Sequence, residues 1–408
     1  MTSTVMNRKS NDLMPPHEAI ASIIAELSPV ETQLVTLEEA IGRVLAEPLR
    51  ADRPSPPCDV SAMDGYALRY RDARPGTVAV KKQVFIGQTP PVLPSHSAMR
   101  IFTGCAIPPG AELVIPREQV TESGDAIIIA PGVTFEPGAN IRRMGENLRG
   151  GEVVVDVGEE ICPAVCAALA TFGHIEPLVY RSVRISLLTT GNEVLPPHAT
   201  PQLWQLRDSN GPFLRSFFAL LPWLRMIRCE PVADDPTAVR SALEAALADS
   251  DAVILTGGVS MGDHDYVPDA VRQIGGHIVF HRLAIRPGKP TLGAIGPKGQ
   301  AILGLPGNPV AVMTTARLLA LPVLRRRAGF VRLILAPPVA QLRENDGRSL
   351  GLWWYRPVRR VAPGIVELVP SMGSGDVVSA ARADGFVEVP PGETGVGPLP
   401  FYAWSGVE

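Results

Sequence analysis

The 408-residue chain has little charge and no basic surplus: charged residues make up 19% and the formal net charge is −3. Nucleic-acid-binding domains usually carry a basic face or stripe, so we expect no nucleic-acid partner. The sequence has no uninterrupted apolar run long enough to cross a bilayer, and its first residues lack the apolar core of a secretory signal. We therefore expect a cytoplasmic protein without a membrane partner.

Cysteine is also scarce. The five cysteines are scattered and odd in number, so we do not expect a disulfide framework. Cys162 and Cys166 have the spacing that places two thiolates on one helix face. The small apolar residues around them favour a packed helix, and no nearby His or Cys completes a metal set. We therefore predict a packing role for this pair.

The chain is rich in proline and glycine, with 41 and 38 residues. They stand between apolar runs and follow no short period, so they separate many short elements. Helices are predicted over residues 16–27 and 37–45, and short strands over residues 65–133. A strand followed by a helix is predicted over residues 151–173.

From residue 181 the pattern changes to alternating strands and helices. The predicted helices cover residues 210–221, 236–248, 264–274 and 310–324, with Asp235 as an N-cap. This alternation indicates a parallel sheet covered on both faces. Short strands return after residue 331.

The predicted fold is therefore multidomain α/β plus β. It has a doubly wound α/β domain, a β-rich insertion and a small C-terminal domain like a β-barrel. The predicted boundaries are an N-terminal linker domain at 1–53 and 141–180, the insertion at 54–140, the α/β domain at 181–330 and the C-terminal β domain at 331–408.

Three glycine loops follow three predicted buried strands of the α/β domain. In an open parallel sheet, ligands bind beyond the carboxyl ends of the strands, so these loops are expected on one rim. Glycine allows close backbone approach and positive φ, and exposed N–H groups attract anions. Asn308 and Pro309 fit the N-cap and first position of a helix. The loops are TTGNE at 189–193, TGGVS at 256–260 and GLPGNP at 304–309.

Acidic residues lie beside these loops. Carboxylates hold Mg²⁺, ribose hydroxyls or ring nitrogens rather than phosphate itself. A basic group in the segment HRLAIRPGKP can clamp oxyanions. Together these features predict a site for a phosphorylated ligand. The acidic residues are Glu193, Asp208, Asp234, Asp235, Asp263 and Asp265, and the basic ones are Arg282, Arg286 and Lys289.

The order of these motifs resembles that of the molybdopterin molybdenumtransferase family, which includes the E domain of gephyrin. The matching segments span residues 61–312, with weaker similarity at both ends, and the combination is far more specific than any single motif. They are SAMDGYALR, IFTGCAIPPGAE, PGANIRRMGENLRGG, TTGNEV, RDSNG, ADDP, TGGVSMGDHDYV, LAIRPGKPTLG and GLPGNPVAV.

The resemblance implies an enzyme that inserts molybdate into the dithiolene of adenylylated molybdopterin and releases AMP. It implies that the α/β domain at 181–330 is of the molybdopterin-binding kind and that the N-terminal linker domain also serves in dimerisation. It implies Mg²⁺ and an elongated homodimer whose active site crosses the subunit interface. Candidate protein partners are molybdoenzymes and the adenylyltransferase.

The resemblance also assigns residues. The expected catalytic residues are Asp64, Thr103, Glu193, Asp234 and Asp265, and the expected metal ligands are Glu193 and Asp234. The residues expected to bind the pterin nucleotide or molybdate are Ser61, Thr190, Gly191, Asp208, Gly257, Gly258, Ser260, Arg282, Arg286, Lys289, Pro306, Gly307 and Asn308.

Departures from the family pattern support a rival. Asn147 and Asn192 stand where the family usually has acids, Arg282 and Arg286 where lysines are common, and the loop at 194–206 carries Pro196, Pro197 and Trp204. The two lost acids motivate a cofactor-binding or scaffolding relative with weak catalysis. A hydrolase of nucleotide-linked pterins is a third reading, although it would not need the flanking β domains.

Overall fold

The computed structural model describes residues 13–259 and 265–404. The chain divides into two compact units, residues 1–47, 157–166 and 176–408 forming the first and residues 48–156 and 167–175 the second. Within the described residues, no helix combines the length and apolar character needed to cross a membrane.

A six-stranded sheet forms the centre of the first unit. Its strands are β1 Val183–Thr190, β2 Leu224–Val232, β3 Ala252–Thr256, β4 His277–His281, β5 Leu292–Ile295 and β6 Ala301–Leu305. Their order across the sheet is β2-β1-β3-β6-β5-β4. The first four strands in this order are parallel, whereas β5 is antiparallel to both of its neighbours, β6 and β4. The prediction of a parallel sheet was therefore wrong at β5. Residues 296–300 join β5 to β6 in a tight turn, which is too short for a parallel crossover.

Both faces of this sheet are covered, as predicted, because alternate residues of its strands enter opposite cores. Ile254 of β3 packs in a core with Leu214, whereas Val253 packs in the other core with Leu243. Such two-sided burial fits the continuous apolar strands. The first face is covered by the helices Pro16–Glu26, Asn210–Ala219 and Pro309–Thr315, and the second by Pro236–Asp249 and Val267–Gln273.

The ends and the regularity of three predicted helices are set by particular residues. Asp235 caps its helix as predicted, since its Oδ1 accepts from the N–H groups of Thr237 and Ala238 at 3.0 and 2.9 Å. The helix predicted over 37–45 ends at Ala40, because Gly42 turns the chain at φ +75°. The helix predicted over 310–324 continues to Arg327 but passes through a π-helical turn, Ala316–Ala320, just before Pro322, which has no N–H to donate.

The C-terminal region of the first unit forms a closed five-stranded barrel, which confirms the predicted β-barrel-like domain. Its core contains Val358, Val387 and Phe401. A three-stranded sheet of Thr32–Leu34, Leu178–Tyr180 and Val44–Leu45 belongs to the same unit. The barrel strands are Val339–Leu342, Trp353–Ala362, Ile365–Leu368, Gly385–Val389 and Pro398–Ala403, with the helix Val377–Arg382 between the third and fourth.

The second unit is β-rich and contains the segment 54–140 that was predicted as an insertion. Residues on alternate sides of its main sheet enter two separate apolar cores, one around Ile115 and one around Met99. Short pairs add Val60–Ser61 with Ile141–Arg142 and Leu49–Arg50 with Val153–Val155. The helix predicted after the strand Val153–Val155 spans Pro163–Thr171. The main sheet has the order Leu113–Pro116, Gly65–Leu68, Ser97–Ile101, Gly76–Gln83, Ala126–Ile129 and Val120–Ser123.

Candidate active site

The carboxyl ends of β1, β3 and β6 open onto a cleft of about 650 Å³, which we name the glycine-loop cleft. Its position is the one at which open α/β sheets bind ligands. It is lined by residues 189–191, 193–194, 206–210, 234, 256–259, 265, 290, 306–309, 375 and 377.

The three glycine loops meet in this cleft. The Thr190 hydroxyl donates to the Thr256 carbonyl oxygen at 3.1 Å, and the Gly257 N–H donates to the Leu305 carbonyl oxygen at 3.0 Å. A Cβ on Gly307 would lie 3.6 Å from the Cα of Gly257. The loops therefore present a continuous backbone surface, as their places after neighbouring strands predict.

Gly257 shows why this surface needs glycine. Its φ is +87°, in the left-handed region, and a Cβ there would lie 2.6 Å from the Thr190 hydroxyl oxygen. Any other residue would be strained and would also displace Thr190. The position can be occupied only by a residue without a side chain if Thr190 is to keep its place.

Four of the predicted acidic residues line the glycine-loop cleft: Glu193, Asp208, Asp234 and Asp265. Asp208 is engaged by the start of a helix, since its Oδ1 accepts from the Gly211 N–H at 2.9 Å. Asp235 acts as the helix cap described above. Two further predicted residues, Ser260 and Asp263, lie outside the described part of the chain.

Asn192 and Asp234 exchange two hydrogen bonds. The Asn192 N–H donates to Asp234 Oδ2 at 3.2 Å, and the Asp234 N–H donates to Asn192 Oδ1 at 3.1 Å. Both donors are backbone groups, so an aspartate at position 192 could accept the same bond. The departure from the family therefore keeps this geometry and removes one negative charge.

Asn147, the other departure, lies in the second unit and bridges two residues there. Its Oδ1 accepts from Arg142 Nη2 at 2.5 Å, and its Nδ2 donates to Ser55 Oγ at 3.1 Å. An aspartate could accept the first bond and, if the Ser55 hydroxyl turned to donate, the second as well. This asparagine has a structural role in its own unit.

Asn210 is a cleft residue that the sequence reasoning treated only as the start of a helix. Its Nδ2 donates to the Gly307 carbonyl oxygen at 2.8 Å and so ties the helix Asn210–Ala219 to the third glycine loop. Its Oδ1 is buried and accepts no hydrogen bond within the described residues. Its place in the matching segment RDSNG was the available signal.

A second cleft of about 970 Å³ adjoins the first within the same unit, and we name it the basic cleft. Arg286 and Lys289 are exposed there, whereas Arg282 lines neither cleft. Arg282 instead occupies a turn at φ +72°, where its N–H donates to the Thr291 carbonyl oxygen at 2.9 Å. The basic cleft is lined by residues 285–290, 306, 308, 310–311, 346, 348, 352, 354–357 and 368–375.

The two clefts adjoin and share part of their walls, since Pro290, Pro306, Asn308 and Gly375 line both. Asn308 precedes the helix that begins at Pro309, as predicted, but its side chain does not cap that helix. It donates instead to Ser374 Oγ at 3.0 Å. This contact fixes the third glycine loop against a segment of the C-terminal region.

The second unit holds the remaining predicted residues. The backbone N–H of Thr103 and then its hydroxyl, both 2.8 Å from Asp64 Oδ1, lower the pKa of Asp64. Both side chains are exposed, while Ser61 is buried and its hydroxyl donates to the Met63 carbonyl oxygen at 2.6 Å. Gly65 allows this turn, since a Cβ there would lie 2.0 Å from the Ile115 carbonyl oxygen.

Metal binding can be judged from the donor atoms. Among the described residues there is no group of three or more His, Cys, Asp or Glu side chains placed to hold a metal ion. Mg²⁺ does not require one, because it commonly binds one or two carboxylates together with waters and substrate phosphates. The oxygen donors of Glu193 and Asp234 in the glycine-loop cleft fit this mode.

Comparison with known proteins assigns the chain to a family. Residues 14–173 match the family described as MoeA N-terminal region (domain I and II), and residues 186–326 match the probable molybdopterin binding domain. A molybdopterin molybdenumtransferase of Synechococcus elongatus is 34% identical over 393 residues, covering 92% of this chain and 95% of the relative. The chain belongs to the molybdopterin molybdenumtransferase family. It is therefore a transferase of molybdenum cofactor biosynthesis.

Other members of the molybdopterin molybdenumtransferase family agree with this assignment. The Staphylococcus aureus (strain Mu50) relative is 31% identical and covers 94% of this chain and 93% of its own length. A crystal structure of the molybdopterin biosynthesis moeA protein from Pyrococcus horikoshii OT3 superposes with a TM-score of 0.80 at 25% identity. It covers 96% of this chain and 100% of that one, so the shared fold extends over both units.

Proposed function

We propose that this chain inserts molybdate into adenylylated molybdopterin and releases AMP. The observation that carries the proposal is that the glycine-loop cleft and the basic cleft adjoin within one unit and share four lining residues. A substrate with a nucleotide at one end and a metal-binding dithiolene at the other needs two adjoining sites of different charge. Two dithiolene sulfurs replace two molybdate oxygens, and one water cleaves the phosphoanhydride to two phosphomonoesters with release of two protons. These two protons and the two thiol hydrogens leave with the two oxygens as two waters, so molybdenum stays Mo(VI).

The glycine-loop cleft is the proposed nucleotide site. The meeting loops allow phosphate oxygens to approach backbone N–H groups closely. Glu193 and Asp234 would hold Mg²⁺ with the phosphates. When bound, that ion supplies charge neutralisation at the phosphoryl oxygens.

The basic cleft is the proposed molybdate site. Arg286 and Lys289 are exposed cations on its wall, and molybdate is a dianion that must approach a substrate of the same sign. Cations held in place lower the repulsion between two such reactants. The residues Pro306 and Asn308, shared by the two clefts, give a short path from one site to the other.

We further propose that a second copy of the chain completes the site with Asp64 and Thr103. Asp64 is ionised near neutral pH, because the Thr103 hydrogen bonds lower its pKa. It is also exposed, so its second carboxylate oxygen is accessible to a ligand. This part of the proposal rests on the resemblance and on the paired geometry of these two residues.

The test uses purified protein with adenylylated molybdopterin, molybdate and Mg²⁺, with AMP measured by chromatography. Glu193→Gln and Asp64→Asn should each lower AMP release by about a hundredfold with unchanged thermal unfolding. Glu244→Gln, on the exposed side of the helix Pro236–Asp249, is the matched control and should leave the rate unchanged. Mixed dimers of the two site variants should recover one intact site if the site crosses the interface.

The scaffolding alternative makes a different forecast. The two neutralised acids, Asn147 and Asn192, are the observations that favour it, and it predicts ligand binding without AMP release. Folded wild-type protein that binds the substrate, yet neither releases AMP nor restores molybdoenzyme activity to an insertase-deficient strain, would favour that alternative.

A further inference from the structure

The loop at residues 196–205, which we name the tryptophan loop, begins and ends beside the wall of the glycine-loop cleft. Its two ends pair as the short strands Val194–Leu195 and Leu206–Arg207. The Leu206 N–H donates to the Glu193 carbonyl oxygen and the Asp208 N–H to the Leu195 carbonyl oxygen, both at 2.8 Å. Both ends of the tryptophan loop are thus fixed beside the predicted metal ligand.

The tryptophan loop is held together by its own hydrogen bonds. Arg207 Nε donates to the Ala199 carbonyl oxygen at 2.9 Å, and the Gln205 N–H donates to the Gln202 carbonyl oxygen at 3.0 Å. The side chain of Gln205 in turn accepts from the Gln202 N–H at 3.0 Å. The loop is therefore a preformed surface with a defined tip, even though it stands outside the core.

That tip exposes large apolar side chains. Leu203 is fully exposed, Trp204 is 74% exposed and Leu206 is 63% exposed. An indole presents one of the largest apolar surfaces of any side chain, so leaving it in water is unfavourable and a ligand that covers it gains affinity. Three such residues within four positions make the tip unusual for a soluble surface.

The described lining of the glycine-loop cleft contains no Phe, Tyr or Trp on which a base could stack. It consists of backbone, carboxylates, one arginine and small or aliphatic side chains. Trp204 lies two residues from Leu206, which is part of the cleft wall. Pro290 and Pro306 line both clefts, whereas Val194 and Leu206, at the two ends of the tryptophan loop, line only the glycine-loop cleft.

We propose that Trp204 stacks on the purine of the adenylyl group and that the tryptophan loop covers this end of the cleft. The proposal rests on the nucleotide site proposed above, and it makes Trp204 a specificity residue for the base. Base stacking on an aromatic side chain corresponds to about a tenfold change in affinity or more.

The experiment compares AMP with ribose 5-phosphate, which lacks the base, by calorimetry on the full chain with Mg²⁺. Trp204→Ala should weaken AMP about tenfold and leave ribose 5-phosphate unchanged, while Trp204→Phe should keep most of the AMP affinity. Leu220→Ala, at an apolar residue that is 55% exposed and lies outside the glycine-loop cleft, is the control and should bind both ligands like the wild type.

The outcomes separate the two proposals. If wild-type protein binds ribose 5-phosphate and AMP with equal affinity, or if Trp204→Ala binds AMP as tightly as the wild type, the stacking proposal fails and the nucleotide site stands. If Trp204→Ala weakens both ligands equally, Trp204 only supports the wall and the stacking proposal also fails. If the folded wild type binds neither ligand, the nucleotide site fails and the stacking proposal fails with it. Trp204→Phe guards against loss of folding in the alanine variant.

Discussion

Replacing Gly257 by alanine tests whether the glycine loops form a ligand-contacting surface. The new Cβ would lie 2.6 Å from the Thr190 hydroxyl oxygen and 3.2 Å from the Thr190 carbonyl oxygen. The first distance is shorter than any normal contact, so Thr190 must move. Because Thr190 lines the cleft and its hydroxyl bonds to the next glycine loop, the movement changes the shape of the proposed phosphate site.

The loss of stability in Gly257→Ala has two parts, backbone strain and overpacking, which a matched control variant separates. Alanine in the left-handed region costs about 1–2 kcal/mol of stability, and this applies equally to Gly275, whose φ is +79° and whose Cβ would meet nothing within 4 Å. Gly257→Ala adds the cost of overpacking, about 1–3 kcal/mol. We therefore expect Gly257→Ala to be less stable than Gly275→Ala by about 1–3 kcal/mol.

The assay is AMP release from adenylylated molybdopterin, measured at a temperature where both variants are folded. A displacement of about 1 Å in a positioning element can lower a rate about a hundredfold, so we expect such a loss in Gly257→Ala and a wild-type rate in Gly275→Ala. If the folded Gly257→Ala protein releases AMP at the wild-type rate, the argument that this loop contacts the ligand is refuted.

Two further predictions concern charge. Asn192→Asp should lower the Mg²⁺ concentration needed for half-maximal AMP release severalfold, because it adds a hard oxygen ligand beside Asp234; an unchanged Mg²⁺ dependence would separate Asn192 from the metal site. Burial alone would raise the pKa of Asp251, but hydrogen bonds from Arg181 and Arg184 lower it from 3.8 to about 2. A carboxylate with a lowered pKa stabilises the fold above its ordinary pKa, and this contribution is lost as pH falls towards 2. Asp251→Asn should therefore cost about 2 kcal/mol at pH 7 in urea unfolding, with the difference shrinking below about pH 4. A difference independent of pH would contradict this account.

The parts of the fold that could be predicted are those governed by local pattern. The alternation of buried strands and helices gave the α/β domain, and the position of each glycine loop after a strand gave the cleft where the loops meet. The cap at Asp235 was predictable for the same reason, since the Asp–Pro pair acts within one helical turn.

The parts that could not be predicted depend on contacts between distant segments. The reversal of β5 is an exception, because it follows from a local hairpin whose turn, GPKGQ at residues 296–300, is a signal that the strand–helix alternation left out of account. The side chain of Asn308 bonds to Ser374 rather than to its own helix, and nothing local marks that choice. The hydrogen bond from Asn210 to the Gly307 carbonyl oxygen could not be predicted for the same reason, since it joins two segments that only the folded sheet brings together.

The distribution of charge along the two clefts bears on how the site works. Four carboxylates and one arginine, Arg207, line the described part of the glycine-loop cleft, whereas the exposed cations Arg286 and Lys289 lie in the basic cleft. An anionic nucleotide cannot be neutralised by the first set without a bound cation, while molybdate can be neutralised by the second. Asn192 lowers the negative charge beside Asp234 without disturbing its hydrogen bonds. The substitution therefore weakens both the attraction for Mg²⁺ and the repulsion of phosphate. Because these two effects oppose each other at saturating Mg²⁺, we expect the substitution to change the Mg²⁺ dependence of AMP release more than its maximal rate.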